Sequence, residues 1–152
     1  MRLIIADTSC LIIFTKLART DILQRTFSEL VTTDRVVAEY GTLPDWVGQT
    51  AEYDQNRYRE LNQDLGPGES SCIALALDQK GRQPLLIIDD RQAKNVAESL
   101  GLECIGSLGV LLIAKRQGVI AEVSSMLAKI QATDFRVSAQ VLKTVRRLAG
   151  ET

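Results

Sequence analysis

The chain has 152 residues, 45% of them hydrophobic and 24% charged, a size and balance expected of one compact domain, 1–152, with its own core. Its formal net charge is −1 and its pI is near 5.5, so no overall positive field draws in nucleic acid, and any such contact needs a local basic patch. With no histidine and three widely spaced cysteines, Cys10, Cys72 and Cys104, it excludes Ser-His-Asp and Cys-His catalysis and the usual zinc sites, and argues against a disulfide framework.

Taken in chain order, "MRLIIADTS" has one basic residue and too few apolar ones before Asp7 for the ~7–15-residue core of an export signal. The longest apolar runs, such as "VLLIA" at 110–114, fall far short of the ~20 residues that span a bilayer. A soluble, cytoplasmic protein with no membrane contact is expected. "LIIA" at 3–6 reads as a buried strand ending at Asp7, followed by a helix over "TSCLIIFTKLA" with Thr8 or Ser9 as N-cap. Thr20 is expected to cap a second short helix. "LVT" at 30–32 reads as a strand, and a helix from Thr33 or Asp34 carries Glu39 and stops at Gly41.

Residues 42–64 show the least regular pattern, with "AEYDQNRYRELNQD" readable as a solvated helix. "GPGE" at 66–69 reads as a turn before "SSCIALALDQKG", which is apolar on nearly all sides, as a central buried helix is. Glu69 then stands in the first turn of a buried helix. "PLLII" at 84–88 is a second clear buried strand, "RQAKNVAESLG" an amphipathic helix, and "LECIG" at 102–106 another strand. Three closing helices follow at 107–118, 120–132 and 138–150, the last capped by Ser138. Strands alternating with helices predict a parallel sheet covered on both faces.

In such a sheet ligands bind outside the carboxyl ends of the strands. Asp7 and the pair Asp89-Asp90 follow strands, and Glu69 can reach the same crevice. Each acid alone has a plain structural role: an Asp after a strand caps the next helix, Glu69 favours the positive end of its helix, and Glu39 is solvated. The doubled Asp is harder to explain so, because one cap needs one carboxylate and adjacent like charges repel. Several carboxylates in one crevice need a cancelling charge, and with oxygen donors only that favours Mg²⁺ or Mn²⁺. Metal-assisted phosphodiester hydrolysis is the reaction class these residues suggest.

"IIADTSCLI", "VVAEY", "GPGESSCIALALD" and "LLIIDDRQAKNVAESLG" followed by "CIGSLGVLLIAKRQGVI" resemble, in order and over nearly the whole chain, the PIN-domain family. More narrowly, the chain is similar to a prokaryotic PIN subfamily of unknown function grouped with toxins of toxin-antitoxin pairs. The resemblance implies a Rossmann-like three-layer α/β/α sandwich with a central parallel sheet, and a Mg²⁺- or Mn²⁺-dependent endoribonuclease. By the resemblance, Asp7, Glu39, Glu69 and Asp90 form the catalytic acidic set, and Ser9 is the hydroxyl that orients Asp7. The metal set takes in Asp89 as well.

Ile88 and Asp89 stand where the family often has a hydroxyl and a variable residue, so the hydroxyl is missing. Asp90 is therefore the expected ligand, and Asp89 the expected helix N-cap or outer-shell group. Arg91 and Lys94 are expected to contact phosphate or to neutralise the crowded acids. Lys143, Arg146 and Arg147 form either a backbone contact or, as the better reading, a solvated face. The resemblance further implies RNA as substrate, a homodimer, and an antitoxin protein that fills the groove, with helices in 107–132 apolar enough for a dimer face. The competing reading is a non-catalytic module that binds nucleic acid or a protein partner, motivated by the missing hydroxyl. A phosphotransfer domain is a weaker third reading, because the lysine such domains need is not evident.

Overall fold

A computed structural model describes residues 2–152; Met1, within the expected domain, lies outside the described residues. Five β-strands form the sheet, the central ones from short apolar runs that are largely buried, as parallel strands under helices must be. They are β1 (Ile4–Ala6), β2 (Leu30–Thr33), β3 (Val47–Thr50), β4 (Leu85–Ile87) and β5 (Glu103–Ile105). All pairings are parallel, in the order β3-β2-β1-β4-β5. The helices flanking this sheet are α1 (Thr8–Lys16), α2 (Thr20–Thr26), α3 (Asp34–Tyr40), α4 (Gln55–Leu61), α5 (Pro67–Asp78), α6 (Arg91–Ser99), α7 (Ser107–Arg116), α8 (Ser124–Gln131) and α9 (Ala139–Leu148). The architecture is the expected α/β/α sandwich.

Chain order along the sheet reverses direction between β1 and β4. That is the switch point at which two neighbouring crossovers diverge and leave a crevice at the strand ends. Ala6 pairs with Ile87, and the Asp7 amide extends the ladder by donating to the Ile87 carbonyl at 3.1 Å. The residues that follow these two strands are thereby brought to one edge. The core beneath includes Ile5, Phe14, Leu86, Ile87 and Ile88, all fully buried. α5 packs across β1, β2 and β4, and its buried residues run without a break from Ser70 to Ala76, which explains its lack of a polar face.

Several expectations are corrected. β3 falls in the stretch read as least regular; it is an edge strand of which only Val47 is buried, so it lacks the apolar run that marks the other strands. Gly48 suits it, because a Cβ there would stand 3.2 Å from Val31 Cγ1. The "GPGE" turn is the start of α5, with Gly66 at the N-cap and Pro67 as first helical residue, a position where a missing N–H costs nothing. Thr20 is the first residue of α2 rather than its cap, and neither Thr8 nor Ser9 caps α1, whose N-cap is Asp7. Thr33 does cap α3, accepting from the Val36 amide, and Ser138 caps α9, accepting from Val141. Gly41 ends α3 at φ +106°, where a side chain would be strained.

Of the apolar residues of 107–132, Val110, Leu111, Ala114, Met126, Leu127 and Ile130 are buried in the core, while Leu108, Leu112, Ile113 and Val119 are only partly buried. Among the described residues, the large apolar side chains left exposed are Ile12, Leu100, Val141 and Leu148. No helix among the described residues is long and apolar enough to cross a membrane.

The chain end is held by one carboxylate. Glu151 accepts from Lys115 Nζ at 2.7 Å, the Val123 amide at 2.8 Å, the Ser124 amide at 3.0 Å and Ser124 Oγ at 2.6 Å. Partial burial pushes its carboxyl up, but the donors outweigh that and bring it down to about 2. A lowered carboxylate stabilises the fold above its ordinary range and loses that contribution as pH falls. Glu151→Gln should therefore cost about 1–3 kcal/mol at pH 7. In urea unfolding, the gap to wild type should close as pH falls from about 4.5 towards 2; a gap independent of pH would refute the clamp.

Candidate functional site

Four carboxylates line one recess of about 340 Å³ at the switch point: Asp7, Glu39, Glu69 and Asp90. Asp7 follows β1 and is 4% exposed. Its Oδ1 is buried without a hydrogen-bond partner, which is rare for so polar an atom. Burial first of all pushes its carboxyl up to about 7; Glu69, Glu39 and Asp89 push the same way, against the pull of the Thr8 amide. Glu69 lies in the first turn of α5 and is also raised, by burial and then by Asp90 and Glu39. Glu39 sits in the last turn of α3 and is exposed; Thr8 Oγ1 donates to its Oε1 at 3.3 Å.

Gly68 makes the gathering possible. A Cβ on it would stand 2.2 Å from Glu39 Oε1 and 3.1 Å from Asp7 Oδ1, so a side chain there would displace the exposed end of Glu39 from beside Asp7. Beneath them runs a buried polar thread. Thr32 Oγ1 donates to the Ala6 carbonyl at 2.6 Å, Thr33 and Ser71 hydroxyls meet at 2.6 Å, and Ser71 Oγ donates to the Gly68 carbonyl at 2.8 Å. The thread locks β1, β2 and α5 at the height of the recess.

The two adjacent aspartates divide differently from expectation. Asp90, the expected ligand, is itself the N-cap of α6: its Oδ2 accepts from the Ala93 amide at 2.9 Å. Asp89 is not the cap. Its Oδ1 accepts from the Ser107 amide at 2.7 Å, and its Oδ2 from Ser107 Oγ at 2.7 Å and Ser9 Oγ at 2.8 Å. Ser9 therefore holds Asp89, not Asp7. Asp89 does not line the acidic recess; it faces a neighbouring groove together with Arg91 and Lys94. Sequence reading missed Ser107, because its hydroxyl lies 18 positions beyond Asp89 and only the start of α7 beside the sheet brings it there.

Among the described residues no three histidine, cysteine or acidic groups converge closely enough to grip a cation. The chemistry of the donors nevertheless fits a hard divalent ion: they are all carboxylates, one has an unpartnered buried oxygen, and the one residue between two of them has no side chain. Cys10 and Cys72 are buried and their thiols are pushed well above the ordinary range by that burial, so neither offers a thiolate. Lys143 and Arg147 on α9 are exposed while Leu142 and Val145 turn inward, as a solvated face requires.

A family model described as a PIN domain matches residues 3–151. The chain belongs to the PIN-domain family. PIN domains are typically nucleases and generally use divalent metal ions. No curated protein and no solved structure matches this PIN domain significantly.

Two outcomes follow from the electrostatics and the glycine. A raised carboxyl stabilises the fold fully below its ordinary pKa, 3.8 for Asp7, and that stabilisation is lost as pH rises through about 7. In chelator, then, melting temperature should fall across that window, and Asp7→Asn should flatten the fall and gain up to about 4 kcal/mol at pH 8. Thermal unfolding of both proteins from pH 4 to 8 tests this, and parallel curves would count against it. Gly68→Ala adds a helix-favouring residue worth about 1 kcal/mol but drives Glu39 aside. It should leave stability within about 1 kcal/mol of wild type while weakening Mn²⁺ binding in calorimetry.

Proposed function

We propose that this PIN domain is a Mg²⁺- or Mn²⁺-dependent endoribonuclease, the toxin of a toxin-antitoxin pair. The observation that carries the reading is the meeting of Asp7, Glu39, Glu69 and Asp90 in one recess at the switch point, with a buried Asp7 oxygen left without a partner. In this reading those four residues hold the ion. A bound Mg²⁺ or Mn²⁺ supplies charge neutralisation and activates water for attack on phosphorus. Asp7, whose carboxyl is raised to about 7, would hold the ion as its carboxylate, so ion binding would be favoured as pH rises through that range. Asp90 orients from its capped position at α6, and Asp89, bound by Ser9 and Ser107, fixes the strand end from which Asp90 projects. Those two serines supply hydroxyls beside the acidic pair although Ile88 has none.

The partners proposed are an RNA substrate, a second copy of the chain and an antitoxin protein that covers the recess, in the cytoplasm. A small DNA-binding protein encoded next to this chain is the expected antitoxin. Ile88, standing where the family often has a hydroxyl, favours a second reading: a module that binds nucleic acid or protein without cutting. Calorimetric titration with Mn²⁺ separates the two, because absence of binding that depends on Asp7 supports the second.

The decisive experiment is RNA cleavage with Mn²⁺ or Mg²⁺. Wild type should cut and chelator should stop it. Asp7→Asn should lower the rate at least about 100-fold, more than loss of an outer-shell partner costs, with an unchanged circular dichroism spectrum. Equal cleavage by wild type and variant, or none by wild type with either ion, would overturn the nuclease reading.

A further inference from the structure

Next to the acidic recess lies a second groove of about 480 Å³, within the ~300–1,000 Å³ range of small-ligand sites. The two share a wall at the start of α6, where Asp90 faces the recess and Asp89 the groove. Arg91 and Lys94, three apart and so on one side of α6, line it from one flank. Phe135 and Arg136, from the connection between α8 and α9, line it from the other. Three cations thus border one depression whose floor is largely apolar.

Their charges are not spent on the protein. Among the described residues none of Arg91, Lys94 and Arg136 forms an ion pair. Asp89, the acid in the groove wall, has both oxygens occupied by Ser9 and Ser107. Asp134, which neighbours Phe135, is paired with Lys16 of α1. Phe135 and Val137 pack against the core and so seat the connection beside α6, while the Phe135 amide bond to Thr133 Oγ1 at 3.2 Å and the Ser138 cap shape it locally.

Unpaired cations around an apolar, aromatic-walled groove match an anionic polymer with flat apolar faces. Phosphates meet the cations, and a base lies on the ring. A duplex cannot use such a site, since its bases are stacked on one another and present only their edges. We propose that this groove seats the single-stranded RNA segment adjoining the bond at the acidic recess, with Arg91, Lys94 and Arg136 on its phosphates and one unstacked base against Phe135. The proposal rests on the ribonuclease reading for its ligand, and its test keeps the two apart.

The probe is a fluorescein-labelled eight-nucleotide single-stranded RNA, with binding followed by anisotropy in chelator. Lys94→Ala/Arg136→Ala, the first at a half-buried and the second at an exposed residue, should weaken binding at least tenfold at low salt. It should also reduce the slope of log affinity against log salt by about 1.4, at ~0.7 for each phosphate contact on a single strand. Phe135→Leu, which keeps an apolar side chain against the core, should weaken binding about fivefold or more, and a hairpin duplex should bind both variants as it binds wild type.

Unchanged single-strand affinity and slope in the double variant would overturn the proposal. So would a change confined to self-association in light scattering, which would make the groove a face between two copies. With Mn²⁺ present, the variants should raise KM more than they lower kcat. Cleavage with unchanged KM would sink the groove while leaving the nuclease reading intact, whereas groove-dependent binding without cleavage under either ion would sink the nuclease reading and leave the groove.

Discussion

Bringing like charges together at one sheet edge is the constraint on which the rest of this structure turns. Five carboxylates lie around the switch point, and four of them stand at the starts of helices. Asp7 and Asp90 occupy the N-caps of α1 and α6, Glu69 is in the first turn of α5, and Asp89 accepts the first amide of α7. Each helix start carries partial positive charge worth about 0.3–1 kcal/mol to a nearby anion. Removing a carboxylate from water costs several times that. The fold therefore offsets part of that cost without cancelling it, and the carboxyl of Asp7 stays raised, by its burial first and by the neighbouring acids after that. Glu39 is the exception, sitting at the negative end of α3, but it is exposed, so water screens its charge there.

The same constraint shapes the elements around the site. α5 is apolar on almost every side, yet the two residues that follow Glu69, Ser70 and Ser71, are buried hydroxyls, and the polar thread from Thr33 through Ser71 ends at Gly68. The helix carrying Glu69 is thus fixed at its first turn by hydrogen bonds and along the rest of its length by packing. A glycine at position 68 sits within that first turn, where a helix gives up stability for it, and the proximity of Glu39 and Asp7 is what it permits.

Much of this was legible in the chain. β1 and β4 are unbroken apolar runs that end in Asp, and that pattern alone placed Asp7 and the Asp89-Asp90 pair at strand ends. Glu69 was readable because "GPGE" precedes a segment apolar on all sides. What the sequence hid has one physical character: it depends on contacts between residues distant in the chain. β3 is an exposed edge strand whose only buried residue is Val47, so it carries no periodic signal. The α6 cap falls to Asp90 rather than Asp89 because Ser9 and Ser107 arrive from other helices and occupy the Asp89 carboxylate. Phe135 and Arg136 look like any loop pair until the α8–α9 connection folds against the start of α6.

The Asp89 bridge has a bearing on how the protein comes together. Its hydroxyl partners lie 80 positions before it and 18 after it, so the carboxylate cannot be satisfied until the first helix and the seventh have both docked on the sheet. Contacts so far apart in sequence form late and slowly. A chain cut short before α7 lacks Ser107, and with it two of the three hydrogen bonds that hold Asp89. Completion of the recess is in this sense a report that the whole sandwich has closed, and the fold itself delays the moment at which the acidic site is finished.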